Sequence, residues 1–464
     1  MGGNNMQKTV GTALAMSLAV AMMGSGVEDE PKTPPAVDMV KRAEELRKLR
    51  WGLFVCWSFA TFTNPKQEWP KGIKDASFFT AKGVDTDQWV KTAKDAEMGY
   101  ILFLTRHIDG FCLWDTRTTD RKVTKSPLGL DVLAELRKSC DKYGIKLALY
   151  FAEGDLKENY YPGPYTVEMK KAQLKELLTQ YGRIEFIWFD NFNPPPGMDH
   201  DQTTAYCHEF QPSTLVGYNI PPKSGEVEIR ERGSAHPLDP KSGYLIAEFT
   251  YPILPDRMFH PKWFYHISDE DTPSHIPRKI YRDYAQAAKN GVLFSLDVGP
   301  DHNGKLRKLD VDTLRKVGDM IRNPPQPPNP APVSQGKPAK ASSDWNPSYD
   351  AAKAFDGDEF TRWRAAKDNK SGWIEVDLQK DTKIDRAYIN QIDYDRIADV
   401  ATIEEFAIEY KDGDKWKEIV RGTSIGAERE LRFNPVSARF VRLNIIRARQ
   451  VPTIWEFQVY ESQK

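Results

Sequence analysis

Between Arg50 and Ile321, short apolar runs alternate with segments of helical periodicity, and this alternation constrains the fold more than any other feature of the chain. A run that is apolar throughout, rather than at every second residue, suits a parallel strand covered on both faces. Eight such runs can be read: Trp51–Trp57, Tyr100–Leu104, Lys146–Phe151, Phe186–Phe189, Thr214–Tyr218, Tyr244–Phe249, Trp263–His266 and Val292–Leu296. Helical stretches lie between the early ones, such as 85–99, opened by Asp85 and closed by Gly99, and 129–144. Eight repeats over about 270 residues predict an α/β fold, a (β/α)8 barrel, whose chemistry belongs at the carboxyl ends of its strands. A doubly wound open sheet is the alternative. No GxGxxG or GxxxxGK[ST] follows any of these strands, so phosphate and dinucleotide chemistry lose support.

The barrel accounts for only part of the 464 residues. Seven prolines in 323–338 preclude a helix or a central strand, so this segment is an extended linker that closes a domain spanning 40–322. Beyond it, 339–464 carries alternating stretches such as "GWIEVDL" and "RFVRLNII" and no long helical pattern, which predicts a smaller all-β sandwich of the jelly-roll kind. At the other end an apolar run, Val10–Met23, stands behind Lys8 and ahead of Gly24, Ser25 and Gly26. It is too short to span a bilayer and has the pattern of a signal peptide over 1–26, followed by a polar tether over 27–39. Export to the periplasm or the cell exterior is expected, without membrane insertion. The four cysteines show neither CxxC nor zinc-site spacing, and no obligatory disulfide is expected. With 65 Lys and Arg against 66 Asp and Glu there is no basic field to attract nucleic acid.

The predicted strand exits hold the candidate chemistry. "GYILFLTRHIDGF" places Arg106, His107 and Asp109 after the second strand, and Glu153 and Asp155 follow the third. "IEFIWFDNF" ends the fourth strand in Asp190, and "YLIAEF", counted as the sixth, puts Glu248 on the same rim. Paired carboxylates among aromatic residues are what glycoside hydrolysis requires: one ionised at the anomeric carbon, one protonated at the leaving oxygen. An isolated Asp after a strand more often caps a helix or a turn, so the pair carries more weight than either member.

From roughly Leu49 to Ile321 the combination of "DGFCLWDT" with "WFDN" resembles the α-L-fucosidases of glycoside hydrolase family 29. "TFT…EW" and "WFYH" look closest to the branch acting on 1,3- and 1,4-linked fucose. The resemblance implies a retaining enzyme with a glycan substrate and no catalytic cofactor. It implies Asp190 as nucleophile and a Glu past strand five or six as acid/base, with Glu248 as first choice and Glu231 as reserve. It further implies sugar-binding roles for Glu68, Trp69, His107 and an Arg before the acid/base, Arg230 or Arg232, with Arg106, Trp57 and Trp263 as additional candidates.

Two positions depart from the family pattern: Ile108 stands where "KHHDGF" has its second His, and Cys56 replaces the strand-one His. A sugar hydroxyl left unpaired in a closed pocket costs about 1–3 kcal/mol. Either the subsite is rebuilt for another sugar, or a group such as Arg106 supplies the donor. A glycan-binding protein on a degenerate barrel is the alternative function. The region 338–464 resembles a factor 5/8 type C, discoidin-like domain through "AFDGDEFTRW", "GWIEVDL" and "WEFQVY", as found in carbohydrate-binding modules. That likeness implies a structural Ca2+ held by Asp356, Asp358, Thr361 and Glu456, hard oxygen donors suited to the ion.

Overall fold

The computed structural model describes residues 37–63, 72, 74–155, 164–190, 194–219, 224–255, 262–325, 330–358, 361–391, 402–426 and 428–463. Glu68, Trp69 and the N-terminal apolar run lie outside them. Eight strands close a barrel in sequence order: β1 (Trp51–Val55), β2 (Tyr100–Arg106), β3 (Lys146–Ala152), β4 (Phe186–Asp190), β5 (Leu215–Tyr218), β6 (Val227–Glu231), β7 (Ile246–Pro252) and β8 (Leu293–Asp297). Every neighbouring pair is parallel, including β8 with β1. The helices are α1 (Met39–Arg47), α2 (Thr86–Asp95), α3 (Val132–Tyr143), α4 (Val167–Gln180), α5 (His200–Phe210), α6 (Pro277–Asn290) and α7 (Lys308–Arg322). The expected (β/α)8 barrel is thus the fold observed.

The strand count of eight holds, but one member differs. Trp263–His266 is not a strand; it is a buried loop between β7 and α6, apolar because it packs over the barrel and passes so close to Gly299 that a Cβ there would meet the Tyr265 amide at 2.6 Å. The strand that takes its place is β6, "VEIRE". Its charged residues hid it: no helix joins β6 to β7 across 232–245, so Glu228 and Arg230 can alternate with buried Val227 and Ile229 and pair with each other at 2.6 Å. Glu248 consequently belongs to the seventh strand, not the sixth.

Local signals explain the helices. Asp85 accepts the Gln88 amide at 2.9 Å to open α2, and Asp131 does the same for Ala134 in α3. The end of α2 differs from the expectation: the helix stops at Asp95, and Glu97 at φ 64° makes the reversal. Gly99 serves another purpose, since a Cβ there would meet the Leu49 carbonyl oxygen at 2.6 Å as β2 begins.

The C-terminal domain is antiparallel throughout. It comprises β9 (Ala339–Ala341), β10 (Trp363–Arg364), β11 (Gly372–Asn390), β12 (Ile403–Asp412), β13 (Lys415–Gly422), β14 (Glu428–Ala448), β15 (Thr453–Ile454) and β16 (Glu456–Glu461). The main sheet runs β13–β12–β14–β11–β16 with β9 also on β11, and β10 pairs β15. Its own core gathers Phe355, Trp363, Phe406, Val441 and Phe457. Among the described residues no helix is long and apolar enough to cross a membrane.

Candidate active site

Asp190 is the last residue of β4, half-buried at the rim. Tyr150, near the end of β3, donates its hydroxyl to Oδ2 at 2.6 Å, and Asn219, just past β5, reaches Oδ1 with Nδ2 at 3.4 Å. The same Asn219 nitrogen donates to Glu231 Oε2 at 2.7 Å, at the exposed end of β6. One amide therefore bridges two carboxylates from different strands. Burial pushes the Asp190 carboxyl up to about 6, Tyr150 opposes that rise, and the nearby Glu231 charge adds to it.

Glu248 lies elsewhere. The β6–β7 register pairs Ile229 with Glu248 and Glu231 with Thr250, so Glu248 sits two residues deeper than the rim. It is fully buried, accepts Trp188 Nε1 at 3.1 Å, and burial raises its carboxyl to about 8. This is a protonated group of the barrel interior, beside the Tyr100–Ser295 hydroxyl pair at 2.8 Å. A carboxyl so enclosed cannot reach a leaving oxygen at the mouth. Of the two carboxyls considered as partner to Asp190, the structure brings Glu231 to it.

Around the pair stands an aromatic wall. Phe54 packs 5.7 Å from Tyr150, and 6.3 Å from both Trp188 and Trp263, ring centre to ring centre. His107 lies over Tyr150 at 6.0 Å and meets Phe264 edge-on at 5.3 Å. Burial and the Arg106 charge hold His107 down at about 3, so its imidazole is neutral. His107 and Trp263 thus belong to the neighbourhood of Asp190.

Other candidates do not. Arg106 is 1% exposed, ion-paired with Asp155, donates to the Ala152 carbonyl at 2.7 Å and stacks on Tyr165 at 3.9 Å. Its guanidinium is committed to the β3 exit and cannot stand in for a lost imidazole. Trp57 is buried among Phe79, Phe62 and Trp89, with Nε1 on the Asp301 carbonyl at 3.1 Å; it is a packing residue. Arg230 ties down its own loop through the His236 carbonyl at 2.6 Å and Glu228. Arg232 is exposed at φ 52° and lines a different cleft. Asp109 accepts Ser58 Oγ at 3.0 Å and the Phe111 amide at 2.9 Å, the work of a turn cap. Glu153 is paired with buried Lys170 at 2.5 Å.

At the two departures, Ile108 is buried and Cys56 lies against Asp297, whose charge, with burial, raises the thiol well above its usual range. Burial likewise raises Asp297 well above the carboxylate range. In the C-terminal domain, Asp356 spends Oδ2 on the Thr361 hydroxyl at 2.7 Å and Oδ1 on the Asp358 amide at 3.0 Å. Glu456 is buried, with Gln458 Nε2 at 3.4 Å from Oε2. Among the described residues no group of three or more His, Cys, Asp or Glu is placed to hold a metal ion.

Tyr150 and Asn219 escaped the reading of the sequence. Both stand at strand exits, the only local sign; their roles arise from neighbours on other strands.

A closed (β/α)8 barrel with two bridged carboxylates at the carboxyl ends of its strands defines a domain of the glycosidase class. Residues 36–323 match the family model described as alpha-L-fucosidase, and 338–457 match the F5/8 type C domain. "Alpha-L-fucosidase 1" of Arabidopsis thaliana is 26% identical over 448 residues, covering 89% of this chain and 86% of that protein. "Alpha-L-fucosidase" of Dictyostelium discoideum is 22% identical over 267 residues, 53% of this chain and 56% of that one. Among solved structures, a glycoside hydrolase 29 family member from an unknown rumen bacterium superposes with a TM-score of 0.52 at 20% identity, covering 91% of this chain and 77% of that chain. The chain belongs to the α-L-fucosidase family, glycoside hydrolase family 29, and carries a C-terminal F5/8 type C domain.

Proposed function

We propose that the protein is an exported, retaining exo-glycosidase that releases α-L-fucose, or a sugar of related stereochemistry, from 1,3- or 1,4-linked glycans. The observation that carries this reading is the shared Asn219 bridge. Because one nitrogen reaches both carboxylates, the facing oxygens are no farther apart than its two hydrogen bonds laid end to end. That upper limit lies below the roughly 6.5 Å at which inverting pairs begin, which supports a retaining pair.

Asp190 is the nucleophile. Tyr150 anchors Oδ2, and Oδ1, which among the described residues has only the long Asn219 contact, attacks the anomeric carbon. Glu231, exposed at the mouth, gives its proton to the leaving oxygen and then, as carboxylate, takes one from the water that opens the glycosyl-enzyme. Glu231 thereby takes the role first expected of Glu248. His107 and Trp263 line the sugar pocket, and the family motif assigns sugar-binding roles to Glu68 and Trp69. The linkage rests on the likeness of "TFT…EW" and "WFYH" to one branch of the family, and export on the run Val10–Met23.

The test is release of free sugar from fucosylated oligosaccharides and from aryl α-L-fucosides and α-L-galactosides. Asp190→Asn is expected to abolish release. Glu231→Gln is expected to slow substrates with poor leaving groups by roughly a hundred- to ten-thousand-fold and activated aryl fucosides far less. Full activity of Glu231→Gln on oligosaccharides would refute the acid/base assignment. Saturable glycan binding with no release on any substrate would instead favour the glycan-binding reading, which Cys56 and Ile108 motivate.

A further inference from the structure

Asn219 stands on a firmly anchored strand end. Its backbone N–H donates to the Phe189 carbonyl at 2.9 Å, which ties the end of β5 to β4 one residue before Asp190. Tyr218, the residue before it, stacks on Phe189 at 5.2 Å and donates its hydroxyl to the His200 carbonyl at 2.9 Å. Asn219 is itself buried, so its amide is held in one place by packed neighbours.

That amide is shared unequally between the two carboxyls. Nδ2 lies 2.7 Å from Glu231 Oε2 and 3.4 Å from Asp190 Oδ1. The nucleophile has a second anchor, because Tyr150 donates to its Oδ2 at 2.6 Å. Glu231 is at the exposed end of β6, and the short Asn219 bond fixes one of its oxygens. An N–H can only donate, so Oε2 accepts, and the proton that Glu231 gives up is carried on Oε1.

The two half-reactions change these acceptors in opposite senses. In the first, Oδ1 bonds to the anomeric carbon, the bond to the leaving oxygen breaks, and that oxygen takes the proton from Oε1. Oδ1 is then a neutral ester oxygen and a poor acceptor. Glu231 is now a carboxylate, and hydrogen bonds to an ionised group are roughly twice as strong as neutral ones. In the second, the oxygen of water bonds to the anomeric carbon, the electron pair of the breaking bond returns to Oδ1, and a water proton goes to Oε1. Asn219 thus passes from bridging two groups to holding one.

Given Asp190 as nucleophile and Glu231 as acid/base, on which this rests, we propose that Asn219 is a positioning residue for the second half-reaction: it aims the Glu231 carboxylate at the attacking water while Asp190 carries the sugar.

The test is Asn219→Leu, which keeps much of the volume and lacks the donor, assayed on whichever aryl α-L-fucoside or α-L-galactoside the wild type cleaves. With an activated aryl leaving group, attack by Asp190 needs no proton, so kcat/KM reports the first half-reaction and a lowered kcat the second. The variant is expected to lose roughly ten- to a hundredfold in kcat and far less in kcat/KM, so that KM falls as well. A burst of aryl alcohol should precede the slow steady state, and mass spectrometry of the quenched variant should find one sugar unit bound to the protein. Lost packing would instead lower kcat and kcat/KM together. Equal losses in the two constants with no burst, or wild-type kinetics, would overturn the inference. The melting midpoint checks folding; if Asn219→Leu does not fold, Asn219→Ser, whose hydroxyl ends nearer the backbone, is read in the same way. Failure of the fucosidase reading shows elsewhere: the wild type then releases no sugar, or Glu231→Gln treats good and poor leaving groups alike, and either result would overturn this inference with it.

Discussion

Burial drives the Asp190 carboxyl up to about 6, and the Tyr150 hydroxyl pulls against that rise. A nucleophile must be ionised, so kcat/KM is expected to climb with pH through about 6 and level off above it. Tyr150→Phe removes a hydrogen bond to the ionised form, and this limb should then move up by about one pH unit. An unmoved limb in the pH–rate profile would assign it to another group. Glu248 makes the opposite kind of prediction, one about stability. Its folded value of about 8 stands above the roughly 4.3 of an unfolded Glu, so the folded chain holds the proton more tightly. Stability from this group is complete below about pH 4 and is lost as pH rises through 8. Glu248→Gln keeps the neutral shape and should lack that decline, which melting curves between pH 6 and 9 would register. These residues also mark what is legible in a chain read alone. Asp190 is visible because the apolar run before it announces a strand exit. Tyr150 and Asn219 are not, because a partner on another strand is set by barrel register. Glu248 was misplaced for the same reason: once β6 enters the count, it shifts to β7 and into the interior.

At the level of elements, continuous apolar runs identified seven of the barrel strands, because one face of each is buried in the barrel interior and the other under the surrounding helices or loops. β6 failed that test for a physical reason: without a helix over it, its outward positions carry Glu228 and Arg230, and it reads as a polar segment. Trp263–His266 failed in reverse, since a loop folded over the barrel is as apolar as a strand within it. The α2–β2 junction gives a test of element packing. Gly99 is required there by proximity, with Leu49 backbone atoms at 2.6 and 2.8 Å from where a Cβ would be. Rigid backbone cannot yield as a flexible side chain does. Gly99→Ala is therefore expected to cost about 1–3 kcal/mol in denaturant unfolding, with KM unchanged because the junction is at the opposite end of β2 from His107. Wild-type stability in that variant would mean that the turn after α2 relaxes freely.

The molecule joins two separate cores, one in the barrel and one in the C-terminal domain, and a few contacts on the barrel's outer side link them. Helix α6 supplies the barrel side. Arg278 pairs with Glu428 at 3.3 Å, and Arg282 stacks on Trp455, which Arg362 covers in turn. The ion pair is partly exposed and so contributes little, about 0–1 kcal/mol. The stack is better shielded, since Trp455 is 2% exposed, and each of its cation–π contacts is worth roughly 0.5–2 kcal/mol. Of these two described contacts, the one through the Trp455 indole should therefore carry more of the coupling between domains. Intact, the two cores are expected to melt together in scanning calorimetry. Trp455→Ala removes the indole that both guanidinium groups share, and the trace should separate into two transitions, while Arg278→Gln should leave it single. If Trp455→Ala instead lowers one undivided transition, the coupling is spread over the wider interface and the stack is only one contributor to it.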